Sequence, residues 1–207
     1  MKSLPQNIDL SEGRPAESFF VPLIPDRFGL EAWRADESCY DLRIPHNSWC
    51  AITSLRMALL LEDMEAPSQE ELFEAACQEG VYRWQEDKGW IGAYHKEFAS
   101  FLYQHGFVAQ FVQGLSPDHV ASALARGMYC ILRVSPAIRF PDMVAPEKKV
   151  GHVVLCFGYY TNENGRYFRI HNCAGFASLN SQIDFAVHES RLSQVFSGDA
   201  TIFRKRA

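Results

Sequence analysis

The sequence predicts an α+β domain in which helices pack against an antiparallel sheet. Helical patterns of apolar residues dominate the first half of the chain, and short apolar strands dominate the second half. Two of the late strands, 152–160 and 166–171, are separated by Asn162-Glu163-Asn164-Gly165, a turn sequence that favours a β-hairpin. Together these observations favour helices on an antiparallel sheet over an alternating α/β arrangement.

The chain length of 207 residues fits one main domain with an N-terminal extension. We expect the extension to span residues 1–38 and to contain a short edge strand over 18–25, which proline interrupts. The main domain is expected to span 39–207 and to begin with a strand over 39–44, where apolar and polar residues alternate.

The first two helices are predicted from their start signals. Ser48 is the expected N-cap of the first helix, in which Ile52 and Leu55 begin a series of apolar residues at helical spacing. Ser68 begins the second helix, and Glu71 three residues later completes a capping box. The chain near residue 50 is therefore expected to pass from a turn directly into a buried helix.

The remaining elements follow from glycine stops, capping residues and apolar runs. Gly106 ends the third helix, and Ser116-Pro117-Asp118 begins the fourth. In chain order we predict a loop at 84–92, a helix over 93–105, a strand over 107–112, a helix over 116–126, a strand over 128–134, a loop at 135–150, the two hairpin strands, a helix near 188–195 and a last strand over 200–203.

The composition of the chain limits the kinds of partner that we expect it to bind. The net charge of -5 argues against nucleic acid or an anionic membrane as a partner. The start of the chain has no apolar signal region and no apolar run reaches membrane-spanning length, so a cytoplasmic protein is expected. The six cysteines lack the close spacing of a structural metal site, so we expect free thiols, no metal and no cofactor. The oligomeric state stays open.

Cys50 is the cysteine placed where a nucleophile needs to be. It lies at the predicted start of a helix, where unpaired backbone N–H groups and the helix dipole favour a thiolate. The thiolate is the reactive form of cysteine, and an adjacent imidazole can activate it. The alternative at this position is a buried structural cysteine, which is the interpretation we favour for the other five.

His152 and Asn172 are the expected partners of Cys50. His152 follows Gly151 and begins an apolar strand, so its ring must find a partner or take part in chemistry. Asn172 ends the next strand of the hairpin, where its carboxamide can orient an imidazole. A symmetric hairpin would set residue 172 opposite 155 or 156, so a bulge or another register is needed to join the two side chains. The alternatives are a packed histidine and a turn asparagine; His46 and His171 also lie close in sequence to the candidate site.

At these residues the chain resembles the bacteriocin-processing (double-glycine) type of papain-fold cysteine peptidase. The first matching segment is CAITSLRMAL, from Cys50 to Leu59, and the second is GHVVLCFGY, from Gly151 to Tyr159. Between them lie Gly89-Trp90-Ile91 and the Gly106-Phe107 pair after the third helix, and a looser match at His171-Asn172 follows. The resemblance covers roughly residues 40–205 and implies a papain-like fold and a bacterial protein.

The resemblance implies that Cys50 is the nucleophile, His152 the base and Asn172 the orienting residue. The chain departs from the family pattern in three places: Ala51 replaces a glycine, Asn172 replaces an aspartate, and Ile44 stands where a glutamine usually supplies an oxyanion donor. Asn47 is the expected substitute donor, with His46 as the alternative, beside the Cys50 backbone N–H. Trp90 and the loop at 135–150 are expected to form walls of the substrate groove.

The predicted function is a thiol hydrolase that cleaves a peptide, isopeptide or related amide bond in a peptide or protein substrate. One alternative is a thiol acyltransferase or transamidase that uses the same residues with an acceptor other than water. The other is a non-catalytic peptide-binding domain that keeps the fold, which the missing glutamine would favour.

Overall fold

The computed structural model describes residues 4–23, 48–140, 142, 144, 146–173 and 182–207. Within these residues the α-helices, in chain order, are α1 (Cys50–Leu61), α2 (Gln69–Gln78), α3 (His95–Gln104), α4 (Pro117–Leu124) and α5 (Glu189–Val195). Short 3-10 helices lie at Ala16–Phe19 and Pro136–Arg139. The α+β class predicted from the sequence is confirmed.

The strands form one large antiparallel sheet and one hairpin. In chain order they are β1 (Asn7–Asp9), β2 (Tyr82–Gln85), β3 (Gly89–Gly92), β4 (Phe107–Val112), β5 (Tyr129–Val134), β6 (His152–Asn162), β7 (Gly165–Asn172), β8 (Gln182–His188) and β9 (Phe196–Lys205). The large sheet has the order β4-β9-β5-β6-β7-β8, with β1 also paired to β6. Strands β2 and β3 pair only with each other among the described residues.

Two apolar cores lie on opposite faces of the large sheet. On one face, Val153, Leu155 and Phe157 of β6 pack with α1, α2 and α3. On the other face, Val154 and Cys156 pack with α4 and α5. This alternation along one strand is the period-two pattern of a sheet that is covered on both faces. Strand β6 therefore lies at the centre of the molecule, and its first residue lies close to the first residue of α1.

Helix α1 is buried on nearly every side, which explains its unusually apolar sequence. Its buried residues include Ile52, Leu55 and the polar Thr53. The hydroxyl of Thr53 accepts a 2.8 Å hydrogen bond from the Gln69 side chain, which satisfies a polar group inside the core. A helix packed so completely holds the position of its first residue firmly.

The predicted N-cap role of Ser48 is wrong. Trp49 occupies the N-cap position of α1 and provides no side-chain cap. The Ser48 hydroxyl instead donates a 3.2 Å hydrogen bond to the carbonyl of Trp90. A tertiary contact has therefore taken the hydroxyl that a cap would use, and it joins the segment before Cys50 to the end of the small hairpin.

The predicted loop at 84–92 is also wrong, because these residues belong mostly to the β2–β3 hairpin. Trp84 and Trp90 are directly opposite each other, and their ring centroids lie 5.5 Å apart. Cross-strand aromatic pairs stabilise antiparallel strands. The four-residue strands were too short to give a periodic signal in the sequence.

The N-terminal region differs from its prediction. No strand forms over the described part of 18–25; residues Ala16–Phe19 form a 3-10 helix that buries Phe19. Residues Asn7–Asp9 pair with β6 and extend the large sheet. The strand predicted at 39–44 lies outside the described residues, and the division at residue 38 stays a prediction.

The C-terminal half contains one strand that we did not predict from the sequence. Strand β8 pairs with β7, and the last strand begins at Phe196 rather than at residue 200. The predicted loop at 135–150 begins with the 3-10 helix Pro136–Arg139. Among the described helices, none combines the length and apolar character required to cross a bilayer.

Candidate active site

Cys50 is the first residue of α1 and is partly buried. Its carbonyl accepts a 2.8 Å hydrogen bond from the Ser54 hydroxyl one turn later, which supports the first turn of the helix. The buried thiol of Cys173, on the residue after β7, approaches the same carbonyl at 3.9 Å. The helix start is therefore held from within the helix and from the large sheet.

His152 is the first residue of β6 and is 5% exposed. It lines the same cavity as Cys50, a cleft of about 330 Å³ whose other walls are residues 91–95, Arg133 and two neighbours of His152, Gly151 and Val153. The structure therefore places the thiol and the imidazole, about a hundred residues apart in the sequence, on one cavity beside the small hairpin.

Asn172 is hydrogen-bonded to His152. The distance between Asn172 Oδ1 and His152 Nε2 is 2.8 Å, and both side chains are buried. A carboxamide oxygen accepts hydrogen bonds, so Nε2 of the ring is the protonated nitrogen and Nδ1 is the basic one. This contact fixes the tautomer that a histidine base needs.

Gln182 extends this contact and was missed in the sequence. Its Oε1 atom accepts a 3.0 Å hydrogen bond from Asn172 Nδ2, and its Nε2 atom donates to the carbonyl of Arg139 at 3.4 Å. Asn172 and Gln182 are direct partners in the β7–β8 ladder. Since β8 was not predicted, no sequence signal placed Gln182 beside the asparagine. The oxygen of Asn172 is turned towards the histidine because its nitrogen is held by Gln182.

Burial dominates the electrostatics of the site. It lowers the pKa of His152 to about 4, although the hydrogen bond that the ring donates to Asn172 opposes this shift. Burial also raises the pKa of the Cys50 thiol, and hydrogen bonding by the backbone of Val153, Ala51 and Cys50 itself partly offsets the effect. At neutral pH the resting site is therefore a thiol beside a neutral imidazole whose Nδ1 can accept a proton.

The other predicted site residues either lie outside the described residues or border a different pocket. Asn47, His46 and Ile44 lie outside the described residues. Trp90 is partly buried, contacts Phe73 at a centroid distance of 5.0 Å, and borders a neighbouring surface pocket. The cavity of Cys50 is lined by the residues that follow Trp90, and a substrate-binding role for Trp90 stays a prediction.

Two further histidines lie near the site but differ from His152. His171 is completely buried against the rings of Phe19 and Phe157, at 4.5 and 4.8 Å, and belongs to the core. His95 is partly buried, lines the Cys50 cavity and stacks on Phe111. No cluster of three potential metal ligands occurs in the part of the chain that the structure describes.

A model of the Peptidase C39 like family matches residues 32–193. The chain belongs to this family. The match contains Cys50, His152 and Asn172, and it confirms the resemblance inferred from the sequence. As a member of the Peptidase C39 like family, the chain is a cysteine peptidase-like hydrolase.

Several solved structures resemble this chain. A C39-like peptidase of Bacillus anthracis, described as putative, is 15% identical and has a TM-score of 0.56; the match covers 98% of this chain and all of that one. A double-glycine motif protease from an AMS/PCAT transporter, solved in complex with the leader peptide, is 16% identical over 82% of this chain and 87% of its own, with a TM-score of 0.47. Digestive procathepsin L 3 from Tenebrio molitor larval midgut is 13% identical over 93% and 75%, with a TM-score of 0.48. A search of curated proteins gave no significant match.

Proposed function

We propose that this protein hydrolyses a peptide or related amide bond through Cys50, His152 and Asn172. The observation that carries the proposal is the 2.8 Å hydrogen bond between His152 and Asn172, made by a histidine that shares a cavity with the first residue of α1. A nucleophile, a base within the same cleft and a group that orients the base are the parts that thiol hydrolysis requires.

The reaction begins at the thiol. Cys50 Sγ attacks the carbonyl carbon of the scissile amide while its proton passes to Nδ1 of His152, which becomes an imidazolium. The ring then donates this proton to the leaving nitrogen as the C–N bond breaks, and an acyl-thioester remains on Cys50. Water attacks the thioester with His152 again as the base, which releases the carboxylic acid and restores the thiol. Asn172 holds the ring in position throughout.

The negative charge on the substrate oxygen needs hydrogen-bond donors. We propose the backbone N–H of Cys50, at the start of α1, as one donor and the Asn47 side chain as the other. Removing a comparable side-chain donor lowers the rate about 100- to 1000-fold in other enzymes. Asn47→Ala is therefore expected to lower kcat by that factor and to change KM little, because the charge develops only during the reaction.

The substrate class is a peptide or protein, and the acceptor is water. A transamidase would use the same acyl-thioester with an amine as the acceptor. Digestion in the presence of added glycine amide separates these two possibilities, because transfer would give a product extended by the amine whereas hydrolysis gives the free acid. A binding domain without activity would give neither product.

The central test is an unbiased peptide-library digest of the wild type beside Cys50→Ala. We expect cleavage products from the wild type and none from Cys50→Ala. Cys77→Ala is a matched control, because Cys77 is a partly buried free cysteine on α2 in a different pocket. Products from Cys50→Ala equal to those of the wild type would exclude Cys50 as the nucleophile.

Alkylation provides a test that needs no substrate. Burial favours the unreactive thiol form of Cys50 at rest, so fast alkylation requires that His152 accept the proton as the new bond to sulfur forms. With iodoacetamide near pH 6, we therefore expect Cys50 to react faster than a model thiol. The enhancement should disappear in His152→Gln and persist in Cys77→Ala. A rate equal to that of the model thiol in the wild type would contradict the proposed base.

A further inference from the structure

The cavity beside Cys50 has a cationic wall that the proposed chemistry does not use. Arg133 lies on β5 opposite Val153 of β6, and both residues line the cavity. The Arg133 side chain is 38% exposed. The other titratable groups on the cavity are Cys50, Tyr94 and the imidazoles of His95 and His152, and no carboxylate is among the described lining residues. Arg133 is therefore the charged side chain that lines this space.

A salt bridge holds the Arg133 side chain in place. Its Nη1 atom donates to Asp199 Oδ2 at 3.0 Å, and Asp199, whose side chain is only 15% exposed, also accepts a 3.4 Å hydrogen bond from Gln113. Asp199 does not line the cavity. A guanidinium carries donors on three nitrogens, so a group held through Nη1 can bind a second carboxylate in the cavity. The salt bridge thus positions the arginine before a substrate arrives.

His95 lines the same cavity as Arg133 and adds no negative charge to it. Its ring stacks on Phe111, with centroids 4.8 Å apart and an interplanar angle of 8°. Burial, and the neighbouring charge of Arg133, lower the pKa of His95, while the carboxylate of Asp199 acts in the opposite direction. Its Nδ1 atom is buried and has no hydrogen-bond partner among the described residues. A buried polar atom without a partner carries an energetic cost.

We propose that Arg133 determines specificity, so that the cavity accepts a substrate residue with a carboxylate side chain, aspartate or glutamate, close to the scissile bond. This inference rests on the proposed function, because the cavity is defined by Cys50 and His152. Arg133 acts as a binding group for the substrate side chain and takes no part in proton transfer.

The test compares matched peptides cleaved at the same bond, with Glu, Gln or Lys placed in turn at each of the three positions on either side. The wild type is expected to favour Glu over Gln about 10-fold or more in kcat/KM at one position, as a charge-assisted hydrogen bond would give. In Arg133→Met the preference for Glu over Gln should fall to within about twofold, mainly through KM.

Three variants make the test specific. Arg166→Met is the matched control, because Arg166 is also a salt-bridged arginine, on β7 and outside the cavity, and it should leave the preference unchanged. Asp199→Asn keeps an oxygen that can accept the hydrogen bond from Arg133 but removes the neutralising charge, so it should strengthen the preference for Glu. Arg133→Lys keeps the charge without the planar fork and should retain part of the preference. If Arg133→Met does not fold, the preference for Glu measured in Asp199→Asn and Arg133→Lys tests the role of Arg133 instead.

The outcomes separate the two proposals. Cleavage by the wild type that is absent in Cys50→Ala but shows no preference for an acidic residue would overturn the role of Arg133 and leave the proposed function intact. The same holds if the preference survives in Arg133→Met. Absence of any cleavage that depends on Cys50 would instead contradict the proposed function itself.

Discussion

Asn172 Oδ1 lies 2.8 Å from His152 Nε2 although the two residues are not partners in the β-ladder. Near the turn the hairpin is regular, with Gly158 opposite Arg169, and continuing that register would set Leu155 opposite Asn172. The register shifts between Cys156 and Gly158, so that Leu155 is opposite His171 instead.

This bulge decides on which face of the sheet Asn172 lies. A shift of one residue moves every side chain beyond it to the other face. With the shift, Asn172 aligns with Val154, which shares a face with His152 two residues earlier. Without it, Asn172 would align with Leu155, on the face that packs against α1. The hydrogen bond between the two side chains therefore depends on one inserted residue.

Removing the carboxamide should disorient the base. In Asn172→Ala we expect kcat to fall about 100-fold, which is the cost of misplacing a reacting group by about 1 Å, with a smaller change in KM. Asn162→Ala is the matched control, because Asn162 is an exposed residue at the turn of the same hairpin and bonds only the backbone of Asn164 among the described residues. Steady-state kinetics on one cleaved peptide would measure both. Equal activities for the two variants would contradict the orienting role.

Gln182 is expected to act through Asn172 rather than on the substrate. Gln182→Leu should lower kcat less than Asn172→Ala does, because the carboxamide remains but its orientation is no longer fixed by the contact at 3.0 Å. Gln182→Glu keeps an acceptor for Asn172 Nδ2 and should restore most of the activity. If Gln182→Leu and Gln182→Glu lose activity equally, the loss cannot be explained by the hydrogen bond between Gln182 and Asn172.

In the proposed mechanism, the low pKa of His152 sets the acid limit of activity. The ring must be neutral to accept a proton, and its pKa of about 4 keeps it neutral well below the ordinary range of histidine. We therefore expect kcat/KM to fall as pH decreases through about 4, and not through 6.5. A profile from pH 3 to 8, with circular dichroism to check that the protein stays folded, measures this. An acid limb centred near 6.5 would contradict burial as the controlling factor.

Acid should also destabilise the fold through His171. Burial lowers the pKa of His171 to about 3, so the unfolded chain takes up a proton that the folded ring excludes. The stabilising effect of this preference is complete above the unfolded pKa of about 6.5 and is lost as pH falls towards 3. His171→Phe should reduce the slope of unfolding free energy against pH by up to about 1.4 kcal/mol per pH unit between pH 6 and 4.

Urea unfolding at several pH values would measure that slope. Phe19→Leu is the control, because it disturbs the packing around His171 but keeps the imidazole. It should lower the unfolding free energy by a similar amount at every pH, by roughly 1 kcal/mol. If the unfolding free energy of His171→Phe and that of the wild type decline in parallel as the pH falls, other groups account for the pH dependence.

Much of the fold could be predicted because its signals are local. The capping box of Ser68 and Glu71 forms as expected, and so does the helix start at Ser116. The apolar spacing after Cys50 produced a buried helix, and the hairpin turn before Gly165 joins β6 to β7. In each case a few neighbouring residues determine the conformation, so the pattern is visible without knowledge of the rest of the chain.

The errors arose where a distant contact determines the structure. Ser48 forms a hydrogen bond with Trp90 instead of capping α1. A pair of tryptophans stabilises the pairing of β2 with β3, and β8 forms by pairing with the edge of β7. None of these contacts can be recognised in a short stretch of sequence, since each depends on residues that are brought together only by folding.

The sequence by itself determined the candidate nucleophile, base and orienting residue, because a cysteine at a helix start and a histidine at a strand start are local features. It also showed that a regular hairpin would not join His152 to Asn172. Only the tertiary structure decided how they meet: a bulge moves Asn172 to the face of His152, and Gln182 turns its oxygen towards the ring. The side chains lining the cavity, including Arg133, were likewise decided by strand register, which depends on the packing of both cores.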